Sequence, residues 1–272
     1  MKIDYIYGNP PYEGQLHLDI LSFVKDFADE IVWLHPARWA QSLTSPKELR
    51  HFNGRIKEFD LIRENTKILF CGMDISGDLI ITTLIRSGGK SMSDFNPLAL
   101  RSVFPNPDVM MNIYNKVMKK TEHFVKEQLV TDKLTDYAVV FSLIGGNGGQ
   151  GNSKVSKFVT SNQDCVYSNG VAEDGRTFNE RRSKGSPTKD VIDQVRFASY
   201  KEAKNFLESL KTPFYIAVNS ITKCDMHVHP DQIPLMPDYN EPWTNERLCD
   251  FYGLDKTERD EIDSVVSNPD NY

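Results

Sequence analysis

Apolar positions in the first ninety residues alternate between two spacings. Ile3 to Tyr7 is a short apolar and aromatic run. It stops at Gly8-Asn9-Pro10-Pro11, four turn formers in succession. Leu16 to Ala28 follows, with Leu18, Leu21, Phe23, Val24 and Phe27 near helical spacing. Glu30 to Leu34 (EIVWL) reads as a buried strand ended by His35-Pro36, because proline has no N–H to give to a ladder. A helix is expected after Ser45-Pro46, with proline at an early position. Ile56 to Glu64 and Thr66 to Phe70 read as an edge region, and Asp78 to Arg86 (DLIITTLIR), rich in β-branched residues, as a strand. Strand, helix and strand in alternation predict an α/β layer with a mostly parallel sheet.

Beyond residue 91 the pattern is less regular. Asp108 to Leu129 reads as one long helix entered from Asn106-Pro107. Tyr137 to Leu143 reads as a strand running into a glycine cluster, Gly145 to Gly151. Tyr200 to Leu210 carries Ala203, Phe206, Leu207 and Leu210 at helical spacing, and Pro213 is expected to end it. Phe214 to Asn219 is open between strand and helix. Trp243 to Val266 reads as two short helices. No repeat of 20 to 50 residues is visible. The division expected is a catalytic part over residues 1–95 and a second, α+β part over 96–272.

Composition narrows the class. The 272 residues are 39% hydrophobic and 26% charged, an ordinary globular mixture that can bury a core without disulfides or metals. No apolar run reaches the length needed to cross a bilayer, and the start, MKIDYIYGNPPY, does not read as a signal peptide. Four cysteines (Cys71, Cys165, Cys224, Cys249) lie scattered without CxxC spacing, so a reducing cytoplasm is expected. A net charge of −6 argues against nonspecific coating of nucleic acid, while leaving room for a local basic surface.

The chemistry concentrates in Asn9-Pro10-Pro11-Tyr12. Pro10 forces Asn9 out of the α region, and the two prolines fix successive φ angles. Neither proline has an N–H, so the loop is stiff and offers acceptors: the Asn9 side-chain oxygen and the Pro10 carbonyl. Two converging acceptors suit an exocyclic NH2 group, which has two protons to donate. Tyr12 offers an aromatic face for a base, a contact typically worth about 1–3 kcal/mol.

The NPPY segment resembles motif IV of the amino-methyltransferases, and in particular the N6-adenine DNA methyltransferases of restriction-modification systems. The resemblance implies a target base flipped from the duplex into this loop and a methyl group taken from S-adenosylmethionine by in-line displacement. Other segments extend it. Glu30 to Ser42 (EIVWLHPARWAQS) resembles the family's strand ending in a P-[SA]-[RK]-W turn. Lys67 to Arg86 resembles motif VIII, which would place Phe70 on the face of the base opposite Tyr12. Tyr200 to Leu210, Ile233 to Met236, Glu241 to Leu248 and Phe251 to Ile262, in that order, resemble the family's C-terminal end. The fold this implies is a partial doubly wound, Rossmann-like methyltransferase sheet over 1–95, followed by a target-recognition region over 96–272. Within that region, Arg176, Arg181, Arg182, Lys184 and Lys189 are the candidates for phosphate contacts.

One part of the pattern departs from the family. The glycine loop that cradles the methyl donor, and the acidic residue after the next strand, should precede NPPY, and no matching segment does. Val139 to Gly151 (VVFSLIGGNGGQG) is a strand followed by a glycine loop, but no second strand ending in Asp or Glu follows it. A loop tracking DNA or a plain hairpin loop fits it better. Three readings follow: half of a split enzyme whose donor site lies on a second methyltransferase subunit, an active divergent enzyme, or an inactive relative that binds DNA or protein, for example in anti-restriction. The partners implied are double-stranded DNA and that second subunit, with no membrane. Cys224, His227 and His229 match no common zinc spacing, so no metal site is expected. Glu13 reads as a loop residue, and no nuclease pattern is evident.

Overall fold

The computed structural model describes residues 3–13, 15–41, 43, 52–62, 78–101, 103–140, 165–181, 192–222 and 232–268. The chain divides into two compact units, the first ending at Phe104 and the second beginning at Pro105.

In the first unit, β1 (Ile3–Gly8), α1 (Leu16–Val24), β2 (Ala28–Pro36), the single-turn α2 (Arg38–Gln41), β3 (Ile56–Ile62) and β4 (Leu79–Ile85) follow in order. The sheet order is β1-β2-β4-β3. β1 and β2 are parallel, and β4 lies antiparallel to both β2 and β3. So β1, β2 and β3 run one way and β4 the other. The sheet is mixed, not mostly parallel: a β-branched run specifies a buried central strand, but side-chain pattern carries no direction. α1 stops at Val24 rather than Ala28, because Ala28 is already paired with Ile3 at the start of β2.

The dry side of this sheet is built by period-two alternation. Ile31, Trp33 and His35 of β2 are buried, and Glu30, Val32 and Leu34 between them are half-buried. Leu18 and Leu21 of α1 join Ile31, Trp33, Ile80 and Leu84 in one apolar cluster.

The second unit is α+β. α3 (Pro107–Lys120), β5 (His123–Phe124), α4 (Val125–Gln128), β6 (Val130–Asp132), β7 (Ala138–Val140), β8 (Val166–Ser168), β9 (Val171–Ala172), α5 (Phe178–Arg181), β10 (Ile192–Arg196), α6 (Tyr200–Leu210), α7 (Pro213–Thr222), β11 (Pro234–Leu235), α8 (Asn245–Tyr252) and α9 (Lys256–Ser267) succeed one another. Its sheet, β6-β10-β7-β8-β9, is antiparallel at every described pairing. α7 packs against α3, α6, α8 and α9, and Phe214, Tyr215, Ala217, Val218 and Ile221 are all buried.

The long helix expected over 108–129 is two. Thr121 takes an extended conformation at the end of α3, with its hydroxyl donating to the Val117 carbonyl at 2.8 Å. Two residues on, β5 pairs with β11, a long-range contact invisible to local periodicity. Pro213 opens α7 rather than merely closing α6, and the open segment 214–219 is helical, as proline at the first helical position favours.

Local caps set the other helix ends. Ser199, Thr244 and Asp255 each accept a hydrogen bond from the backbone N–H three residues on, and Asp255 with Glu258 forms a reciprocal capping box. Gly253 closes α8 at φ 65°, a left-handed position that favours glycine. The start of α3 is held from a distance. Buried Glu261 of α9 accepts from the Asn106 backbone N–H at 2.8 Å and its Nδ2 at 2.6 Å. Glu261→Ala should therefore lower stability by about 1–3 kcal/mol, since it strips two donors of their partner. Urea unfolding checks this: the midpoint should fall with the slope unchanged.

Candidate functional site

The NPPY loop leaves the carboxyl end of β1. Because β1 and β2 run parallel with Gly8 opposite Trp33, the loop and the His35-Pro36 end of β2 lie at the same end of the sheet. In open α/β sheets that end is where ligands bind. Gly8 is required by packing. A Cβ there would lie 1.9 Å from Trp33 Cζ3, so the indole occupies the space of a side chain.

Within the loop, Pro10 is buried, Asn9 and Pro11 are exposed, and Tyr12 is half-buried. The Tyr12 hydroxyl donates to Asn9 Oδ1 at 2.6 Å. A carbonyl oxygen has two lone pairs, so Asn9 keeps one for a second donor. Partial burial pushes the Tyr12 phenol above its ordinary value, which keeps it protonated and donating.

Beneath the loop runs a column of rings not singled out in the sequence. The Tyr12 ring meets His17 edge-on, with centroids 6.4 Å apart. His17 stacks on His35 at 5.8 Å. His35 Nε2 lies 2.8 Å from Thr82 Oγ1 on β4. Trp33 Nε1 donates to the His17 carbonyl at 3.1 Å, which fixes the start of α1 against β2. The His17 Nδ1 atom is buried with no hydrogen-bond partner among the described residues. A histidine at the second position of a helix that follows a binding loop is the only local sign of this column, and it does not reveal what the ring touches.

Both imidazoles are held neutral. Burial, and next to it His17, pushes His35 down to about 3, partly offset by a backbone hydrogen bond at Pro36. Burial also lowers His17, against the opposing charge of Asp19. The unfolded chain takes up protons at these sites near the ordinary value of about 6.5, while the folded chain refuses them. Stability of the first unit should therefore be full above pH 6.5 and fall as pH drops toward 3, by up to about 1.4 kcal/mol per pH unit for His35. Chemical unfolding followed by tryptophan emission at pH 7 and pH 5.5 checks this, and His35→Gln should flatten the dependence.

The remaining candidates are spread along the chain. Phe70, Arg182, Lys184 and Lys189 lie outside the described residues, as do the glycine cluster, the helix expected after Ser45-Pro46, and Cys224 with His227 and His229. Arg181 ends α5. Arg176 is engaged locally: its Nη2 and Nε reach Asp174 Oδ2 at 2.6 and 2.7 Å. Cys165 and Cys249 are buried. Among the described residues no helix is long and apolar enough to cross a membrane. No family model matches the chain, and no curated protein matches it.

Gly8 is the only glycine that ends a strand of the first unit's sheet among the described residues, and Trp33 fills the space beside it. The space that a glycine loop would leave for S-adenosylmethionine is taken at Gly8 by the indole.

Proposed function

We propose that the chain is the base-binding half of a DNA N6-adenine methyltransferase, cytoplasmic, from a restriction-modification or phage and mobile-element system. A second subunit would hold S-adenosylmethionine, which supplies the methyl group. The observation that carries this reading is the position of NPPY: a stiff turn whose two prolines have no N–H, at the carboxyl end of a parallel strand, with Asn9 exposed and one of its lone pairs available. Three strands running one way with a reversed strand among them support the finer reading of the fold, part of a doubly wound methyltransferase sheet.

In this reading the Asn9 Oδ1 and the Pro10 carbonyl accept the two amine protons of an extruded adenine. Accepting both concentrates the nitrogen lone pair toward an electrophile. The proton that a methylated amine sheds would go to solvent, so no general base is assigned. Tyr12 stacks on the base, and Phe70 closes the other face. Double-stranded DNA is gripped by the basic stretch around Arg181, Arg182, Lys184 and Lys189, with Arg176 contributing only after release from Asp174.

The test is methyl transfer. Extract from cells carrying the chain should incorporate labelled methyl from S-adenosylmethionine at adenine N6 of unmethylated DNA, and extract carrying Asn9→Ala should not. Equal incorporation by the two would refute the roles. A second reading, a noncatalytic relative that binds DNA or protein, is favoured by the packed Gly8. It is separated by the same assay: DNA retention without any incorporation.

A further inference from the structure

In the ring column beneath the NPPY loop, one buried side-chain atom lacks a partner. His35 Nε2 lies 2.8 Å from Thr82 Oγ1, and the Trp33 N–H holds the His17 carbonyl at 3.1 Å. The Tyr12 hydroxyl is spent on Asn9 Oδ1 at 2.6 Å. His17 is 6% exposed, and its Nδ1 is buried with no hydrogen-bond partner among the described residues. Folding alone does not account for an imidazole there. Leu18 and Leu21, which follow it on α1, are buried in the apolar cluster, and an apolar side chain at position 17 would strand no nitrogen. Buried polar atoms without partners are few in native proteins, and a functional role is one reason they persist.

The rest of the ring says what that nitrogen lacks. Burial lowers His17 from its ordinary value, so at neutral pH the imidazole carries one proton. Nε2 is not among the stranded atoms, and a proton placed there leaves Nδ1 a bare acceptor. Nδ1 is therefore short of a donor. Two rings touch His17: His35, already committed to Thr82, and Tyr12, edge-on with centroids 6.4 Å apart. Of these only Tyr12 carries a hydroxyl. That same hydroxyl stands in the way at Asn9, where it takes one of the two lone pairs of Oδ1. An amine docking on the second lone pair has to share the acceptor with it.

We propose that the Tyr12 hydroxyl is exchanged between two acceptors: Asn9 Oδ1 when the loop is empty, and His17 Nδ1 when the exocyclic amine of a nucleobase occupies it. The class of ligand rests on the function proposed above. The exchange turns one side chain and leaves the fold unchanged. The amine docks on the free lone pair, the hydroxyl passes to His17, and Asn9 is left wholly to the amine. One hydrogen bond breaks and one forms, and the stranded nitrogen gains its partner only in the filled site, which favours that state. His17 is thus a positioning residue, acting on the ligand through Tyr12.

The experiment follows the imidazole nitrogens of the full chain by NMR, with His17 assigned from the signal lost in His17→Phe. The probes are oligo(dA) and an oligonucleotide of the same length in which purine, lacking the amine, replaces adenine. Oligo(dA) should move the His17 Nδ1 resonance to that of an acceptor receiving a hydrogen bond. The amine-free probe should not, nor should oligo(dA) on Tyr12→Phe. His17→Phe should bind oligo(dA) roughly two- to tenfold more weakly, the range one neutral hydrogen bond supplies, with no lower urea midpoint. In a Tyr12→Phe background the same replacement should leave the affinity unchanged. An Nδ1 already hydrogen-bonded in the free chain, unmoved by bound oligo(dA), or still moved in Tyr12→Phe would overturn the exchange; methyl incorporation persisting beside any of these leaves the proposed function standing. Failure of oligo(dA) to bind would overturn both. The exchange seen without methyl incorporation would refute the proposed methyl transfer and leave this inference in place.

Discussion

Asn9→Ala is expected to lower methyl transfer to adenine by roughly 100-fold or more, the scale seen when one preorganised group that meets developing charge is removed. The chain itself should tolerate the change. Asn9 is exposed, and its side chain accepts one bond among the described residues, from Tyr12. Loss of activity with an unchanged unfolding midpoint would thus separate chemistry from folding. Tyr12→Phe and Tyr12→Ala divide the next residue's work. The phenylalanine keeps the stacking face and gives up only the bond to Asn9, so the loss should stay within roughly tenfold. The alanine also loses the ring, a contact of about 1–3 kcal/mol per base. Equal activity in Tyr12→Phe and Tyr12→Ala would show that no base stacks there.

Gly8→Ala is expected to destabilise the first unit strongly. The new Cβ would fall 1.9 Å from Cζ3 and 2.1 Å from Cε3 of Trp33. The indole has little freedom to retreat, being buried with its N–H held by the His17 carbonyl. Overpacking of this kind costs about 1–3 kcal/mol where neighbours can yield, and more where they cannot. A loss of about 3 kcal/mol is expected in urea unfolding, with Asn9 displaced as well because it is the next residue. Gly8→Ala combined with Trp33→Leu should recover much of the loss, a coupling that a double-mutant cycle measures. A Gly8→Ala protein with the parent's midpoint would show that the indole is not confined.

Much of the local structure was legible in the chain. The apolar run before Gly8-Asn9 is β1, and DLIITTLIR contains the buried β4. Tyr200 to Leu210, read from its helical spacing, is α6. These signals act over a few residues: side-chain period, a cap, a missing N–H. The stiffness of NPPY belongs to the same class.

The candidate site was only half legible. Its acceptors were named by the motif, but the bond between Tyr12 and Asn9 and the ring column through His17 and His35 were not. That column joins α1 and β2 to β4, which is distant in sequence. The break of the expected 108–129 helix has the same origin, since β5 exists only because β11 pairs with it.

What the sequence alone determined is therefore where strands and helices start, and the rigid turn at residues 9 to 12. The tertiary structure decided which strands became neighbours and that β4 reverses direction between β2 and β3. The reason is physical. Periodicity fixes which face of an element is apolar, but direction, partner and burial follow from how separate apolar faces meet, and that is a property of the whole packed unit.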